Sequence, residues 1–166
     1  VLDFIKKNKK AVLKPLNLSG GRGIVKAGSN NPSSGSLVDI LTEYETRYIM
    51  AQKFIPSAMQ GDKRIIILDG EVLGAFLRVP PKTDFRGNLH SGAKLKKATI
   101  SPSDQRIIDA IKQDMIDRDL YFVGIDIIGK YLTEINVTSP MGICELNVLN
   151  KTKVEKCIGD WLAKKL

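Results

Sequence analysis

Three side chains in the C-terminal third have the types and spacing for metal chemistry: Asp126, Glu134 and Asn136. Glu134 and Asn136 stand two apart in YLTEINV (131–137), so on a strand they point to one face. Asp126 stands in the preceding run, YFVGIDIIG (121–129), and its place depends on the connection. A two-residue turn, Gly129-Lys130, pairs Asp126 with Thr133 and turns it away from Glu134. A three-residue loop ending at Tyr131 sets Asp126 opposite Glu134, and such glycine-containing loops are common in hairpins. On a generic hairpin these polar residues would alternate outward into solvent. Here Val123, Ile125, Ile127, Ile128 and Ile135 surround them, so both strands read as buried on both faces. Buried carboxylates that close repel unless a cation or a proton joins them. Two carboxylates and an amide oxygen suit Mg2+, with Mn2+ as the alternative ion, because magnesium takes hard oxygen ligands and leaves places for water and phosphate oxygens.

A second group lies near the N-terminal end. Lys14 sits inside AVLKPL (11–16), on the face it shares with Val12 and opposite Leu13. A lysine so placed is aimed either at solvent or at a ligand phosphate. Ser19-Gly20-Gly21-Arg22-Gly23 follows, and its glycines would let backbone N–H groups approach a phosphate closely. The same run also reads as a plain turn, and it lacks the Gly-Lys-Ser/Thr ending of a P-loop. A third group comprises Asp62, Arg64, Arg78, Arg86 and Asn88. With Asp69-Gly70 as a two-residue turn, Asp62 would face Leu77 and Arg64 would face Ala75. Two arginine forks at one end of a hairpin suit a carboxylate or phosphate, and they also read as ordinary strand-end charges.

The elements that position these groups are legible in outline. LDFIKKNK (2–9) reads as a short amphipathic helix, 11–16 as a strand ended by Pro15, and 17–24 as a glycine-rich loop. Residues 27–36 form a turn cluster, 37–44 a helix, and RYIMAQKFI (47–55) a strand stopped by Pro56. The stretch 62–80 is a hairpin around Asp69-Gly70. Residues 81–99 are a long polar stretch of the kind that is usually functional or mobile. Ser101-Pro102-Ser103-Asp104 opens a helix with an acidic capping box, followed by Ile107, Ile108, Ile111 and Met115 on one face. Residues 144–150 are ambiguous. Val154, Cys157, Ile158, Trp161 and Leu162 give a final helix one packed face. Mixed strands, helices and hairpins predict an α+β fold with antiparallel sheets.

Composition narrows the function. The chain has 166 residues, 43% hydrophobic and 27% charged, which suits a globular domain with a sizeable core. No apolar run is long enough to span a membrane, and no signal-peptide pattern opens the chain, so a cytoplasmic protein with no membrane partner is expected. The first residue is Val1, which reads as a fragment of a longer chain. Cys144 and Cys157 fit neither a disulfide framework nor a metal-ligand spacing, and both read as small buried apolar residues. A single histidine, His90, makes a His/Cys metal site unattractive, so a metal would be held by oxygen. The net charge of +8 fits a basic soluble surface or a phosphate-bearing ligand. Few aromatics accompany the basic residues, so no nucleic-acid partner is expected.

In order along the chain, LKPLNLSGGRGI, RYIMAQKFIP, GDKRIIILDGEVLGAFLRVP, FRGNLHSG, FVGIDIIG and LTEINVTSPMGI resemble bacterial glutathione synthetases of the ATP-grasp superfamily. The resemblance covers residues 10–150. It implies an ATP-grasp fold, with nucleotide between two α+β subdomains: roughly 10–56 for nucleotide and 57–166 for metal and substrate. It further implies that Lys14 and the Ser19, Gly20, Gly21 and Gly23 loop attend the ATP phosphates. Gln52, Phe54 and Ile55 would lie by the base and ribose, with Asp62 also in the nucleotide site. Asp126, Glu134 and Asn136 would hold magnesium. Arg64, Arg78, Arg86 and Asn88 would attend the transferred phosphoryl group and the peptide carboxylate, and residues 80–95 would close over the site. A usual arginine of that loop is Lys94 here. The implied reaction joins γ-glutamylcysteine and glycine with ATP through an acyl phosphate. The family commonly forms oligomers, so a homo-oligomer is an open expectation. Alternatives are another ATP-grasp carboxylate–amine ligase, such as one adding amino acids to a protein tail, and a non-catalytic nucleotide-binding remnant.

Overall fold

A computed structural model describes residues 1–88 and 91–165, and the chain divides into two compact units, Val1–Pro56 with Asn88–Gly92 and Ser57–Gly87 with Ala93–Leu166. His90 lies outside the described residues.

The first unit contains α1 (Leu2–Asn8), β1 (Lys10–Pro15), β2 (Val25–Gly28), α2 (Ser34–Leu41) and β3 (Ile49–Lys53). The strands form an antiparallel sheet in the order β2-β1-β3. Strand alternation sends Ala11, Leu13 and Ala27 to one face, where they pack with Ile5 of α1 and Val38 of α2. Val12 and Lys14 therefore occupy the opposite face. Helix α2 begins three residues earlier than its apolar pattern suggests. The Ser34 hydroxyl donates to the Gly28 carbonyl and accepts from its amide, tying the helix start to the end of β2. After α2, Glu43, Tyr44 and Glu45 take φ values of 47°, 54° and 68°, three successive left-handed residues without a glycine.

The second unit follows a 3-10 turn at Pro56–Gln60 and contains β4 (Asp62–Leu68), β5 (Glu71–Val79), β6 (Lys94–Lys97), α3 (Pro102–Asp117), β7 (Phe122–Ile128), β8 (Tyr131–Asn136), α4 (Ile143–Asn150) and α5 (Val154–Lys165). The sheet is antiparallel, ordered β6-β5-β4-β7-β8. Ile65, Ile67, Ala75, Val123, Ile125 and Ile127 pack on Ile108 and Met115 of α3. The capping box is present: Asp104 N–H donates to the Ser101 hydroxyl, and the Asp104 carboxylate accepts from Ser101 N–H. On the other face, Ile66 and Phe76 pack with Leu146 of α4 and Val154 of α5. These helices cover the apolar part of that face, and the remainder carries its polar residues.

Three expectations are corrected and one ambiguous stretch is resolved. Strand β6 emerges inside the polar stretch 81–99, because Lys94–Lys97 pair with Phe76–Val79. Its lysines suit a sheet edge, where charge discourages further strand pairing. Strand β8 is not buried on both faces: it is the opposite edge, with Glu134 and Ile135 exposed. Cys144 and Cys157 are exposed, not buried, because the packed sides of α4 and α5 are taken by Leu146 and Val154. Residues 143–150, ambiguous in sequence, are helical. No helix among the described residues is long and apolar enough to cross a membrane.

Candidate functional site

Two β-bulges build the polar face of the second unit. The β4–β5 turn is Asp69-Gly70, as expected, and Leu68 pairs with Glu71. The register then shifts between Ile66 and Ile67, so Asp62 pairs with Arg78 and Arg64 with Phe76, in place of Leu77 and Ala75. One extra residue, Leu73, moves Arg78 onto the face of Asp62 and Arg64. The β7–β8 hairpin works in the same way. Its turn is the two-residue Gly129-Lys130, since Ile128 pairs with Tyr131, yet Asp126 pairs with Glu134 because a bulge intervenes at Thr133. The Thr133 hydroxyl donates to the Asp126 carbonyl at 3.0 Å, closing the bulge. The facing pair is the one the longer loop would have produced, reached by a different backbone route.

The buried Asp126 carboxylate, 2% exposed, is the centre of this face. Arg64 grips it with both arms of its fork, Nε to Oδ1 and Nη2 to Oδ2, and donates Nη1 to the Met141 carbonyl at 2.9 Å. Arg78 Nη2 reaches Asp126 Oδ2 at 2.8 Å and Asp62 Oδ2 at 2.5 Å. Burial alone would push Asp126 up, but the Arg64 fork and Arg78 outweigh it and hold the carboxyl below the usual range. Asp62 goes the other way: burial, reinforced by the nearby Asp126 charge, pushes it up to about 7 against the pull of Arg78 and Arg64. Gly87 packs against the Asp62 side chain and the Arg78 carbonyl, which brings the following loop to this place. Arg86 forks onto Asp84, with Nη2–Oδ2 at 2.7 Å, and lowers that carboxyl.

The donor set fits a magnesium ion. Asp126, Glu134 and Asn136 share a face, and Asn136 Nδ2 donates to the Gly124 carbonyl at 3.2 Å, which leaves Oδ1 as the atom able to meet a cation. A carboxylate offers about four acceptor positions, and the two arginines use three of those on Asp126. No group of three His, Cys, Asp or Glu among the described residues could hold a metal. A cation held by two carboxylates and an amide would take water or ligand oxygens as its other ligands.

In the first unit, the face opposite the helices carries Lys14, which pairs with Met50, and Gln52, which pairs with Val12. Lys26 pairs with Val12 from the other side and lies over the Phe54 ring, 5.0 Å from its centroid. Ile55 follows Phe54 and is half-buried. The sequence analysis passed over Lys26, although its place directly beside the buried Ala27 in a strand marks the opposite face. The glycine loop turns through Gly20, Gly21 and Gly23, with φ of 66°, 77° and 68°. The Ser19 carbonyl accepts from the Arg22 amide and from Arg22 Nε, both at 3.3 Å. Asn88 packs so closely on Gly21 that a β-carbon there would overlap it.

Comparison with known proteins gives the family. Residues 1–151 match the family described as prokaryotic glutathione synthetase, ATP-grasp domain. The chain belongs to this family. The glutathione synthetase of Gloeobacter violaceus is 43% identical over 164 residues, 99% of this chain and 51% of that protein. That of Coxiella burnetii is 44% identical over 145 residues, 87% of this chain and 45% of that protein. The chain thus spans about half the length of these glutathione synthetases. Among solved structures, D-cycloserine synthetase DcsG aligns with a TM-score of 0.62 at 13% identity, covering 83% of this chain and 52% of that one. The D-alanine–D-alanine ligase of Bacillus anthracis aligns with a TM-score of 0.61 at 14% identity, covering 85% and 48%. At such low identity the likeness shows the fold alone, and that fold is ATP-grasp.

Proposed function

We propose that this chain handles nucleotide and metal in an ATP-dependent ligase that joins γ-glutamylcysteine and glycine to give glutathione, ADP and phosphate. The observation that carries the reading is the bulge-set register. In a member of the glutathione synthetase family, it gathers Asp126, Glu134 and Asn136 on one face beside Arg64 and Arg78.

In this reading the first unit binds nucleotide: Lys14 and the Ser19–Gly23 loop attend the phosphates, while Gln52, Phe54 and Ile55 border the base. The second unit supplies Asp126, Glu134 and Asn136 for Mg2+, with Mn2+ as a substitute. A magnesium ion held by these residues would supply positive charge that neutralises the phosphates. Arg78 and Arg86 orient the anionic groups, and Arg64 keeps Asp126 ionised and aimed. Asn88, seated on Gly21, orients the loop. A carboxylate oxygen of γ-glutamylcysteine attacks the γ-phosphorus as the bond to ADP breaks. The glycine amine then attacks the acyl carbon, phosphate leaves, and the amine gives up a proton. No side-chain nucleophile is required.

Phosphate release by the protein tests this. It should require ATP, a divalent cation, γ-glutamylcysteine and glycine together. Release that is indifferent to γ-glutamylcysteine, or faster with a different carboxylate, would overturn the substrate assignment.

A further inference from the structure

The pairing of Asp62 with Arg78 has a feature that the metal reading does not use. Arg78 holds both Asp62 and Asp126 through a single nitrogen, Nη2. Its Nε is buried and has no hydrogen-bond partner among the described residues, in a side chain only 9% exposed, and Asp62 Oδ1 is in the same condition. Arg64 differs: its three nitrogens are all engaged, two on Asp126 and one on the Met141 carbonyl. One arginine is therefore locked, and the other is a fork held by one prong, with donor capacity unspent in a site where unsatisfied buried groups are costly.

Charge balance says what that capacity is for. With all four groups ionised, the ion-paired Asp62, Asp126, Arg64 and Arg78 carry −2 against +2 and balance, so the cluster gives an anion no net attraction. A divalent cation held at Asp126 tips that balance to positive. It also draws carboxylate charge away from Arg78, which leaves Asp62 as the main holder of that guanidinium. We propose that Asp62 is a positioning residue. It keeps Arg78 in place once the metal has taken charge from Asp126, so that Nε and the remaining nitrogen turn to a phosphate or carboxylate oxygen, and anion binding becomes contingent on metal binding. The inference rests on the metal site of the preceding subsection. It assigns Asp62 to Arg78, in place of a direct contact with nucleotide.

The test is at pH 8, where Asp62 is ionised, with ADP present throughout. Inorganic phosphate is titrated calorimetrically with Mg2+ and with EDTA, and Mn2+ affinity is read separately by electron paramagnetic resonance. In the wild-type chain the metal raises phosphate affinity at least tenfold. In Asp62→Ala that ratio falls below twofold, while Mn2+ affinity changes less than threefold; a merely structural role would leave the ratio untouched. Asp62→Asn, which keeps the size and an accepting oxygen, gives an intermediate ratio and decides the matter if the alanine variant does not fold. A ratio unchanged in both variants overturns the proposal. So does a tenfold loss of Mn2+ affinity, which would make Asp62 a metal ligand. A wild-type chain that binds Mn2+ with no effect on phosphate refutes the coupling alone. A wild-type chain that binds no Mn2+ refutes the metal site, and the proposal falls with it.

Discussion

Replacing Arg64 with methionine should destabilise the second unit selectively, and the size of the effect can be worked from its bonds. Methionine keeps the aliphatic stem in the sheet but removes both links to Asp126 and the donor to the Met141 carbonyl. Asp126 would remain buried with Arg78 Nη2 as its remaining cationic partner among the described residues. Breaking a buried ion pair from one side costs roughly 3–5 kcal/mol, and the surviving Arg78 bond places this case at about 3 kcal/mol. For a chain of this size that is roughly 6–12 °C in Tm. The single tryptophan, Trp161, lies in α5 and donates to Asp69 in the β4–β5 turn, so its fluorescence during urea unfolding reports on this unit. The gap between wild type and variant should also depend on pH. Asp126 is depressed in the folded protein, so its contribution is present above the unfolded carboxylate pKa and disappears as pH falls through the folded value. The difference should therefore shrink toward acid. A loss below 1 kcal/mol at pH 7, or a gap equally large at pH 3, would refute the reasoning.

Asp62 titrates in the opposite sense. Its folded pKa of about 7 exceeds the ordinary 3.8, so the stability it gives is full below 3.8 and is lost as pH rises toward 7. Asp62→Asn should remove a decline on the order of 2–4 kcal/mol between pH 4 and pH 8, measured by urea unfolding; an unchanged slope would contradict the assignment. Gly142 has φ of 134°, and a β-carbon there would come within 2.8 Å of the Phe76 ring, so Gly142→Ala should cost at least about 2 kcal/mol in the same assay. Glu45 is the last of three left-handed residues, so Glu45→Gly should stabilise the first unit by about 1 kcal/mol, read as delayed loss of hydrogen-exchange protection in β1 and β3.

Elements with strong local signals were readable from sequence. The Asp69-Gly70 turn, the Ser101–Asp104 capping box and the Leu13-in, Lys14-out alternation of β1 depend on residues close together in the chain, and each appears in the structure. The two bulges were not readable. Inserting Leu73 or Thr133 changes no composition and leaves the turn intact, yet each moves half a strand to the other face. Both fall where they decide which charged side chains meet. Gly74, next to the first bulge, was the one available hint, because a glycine inside a strand often marks such a site. The exposed cysteines show a related limit: periodicity gives α5 an apolar stripe, but Val154 takes the packing and Cys157 does not.

The central claim is that this chain holds a magnesium–nucleotide complex through Asp126, Glu134 and Asn136. Its most direct test is the melting temperature with ADP, in Mg2+ and in EDTA, for the wild-type chain and for Glu134→Gln. A ligand at a hundredfold excess over its Kd stabilises the fold by about 2.7 kcal/mol, which is several degrees for a chain of this size. The account predicts that rise in Mg2+, little of it in EDTA, and its loss in Glu134→Gln with the unliganded melt unchanged. An ADP shift of the same size in EDTA, or one retained in full by Glu134→Gln, would contradict it.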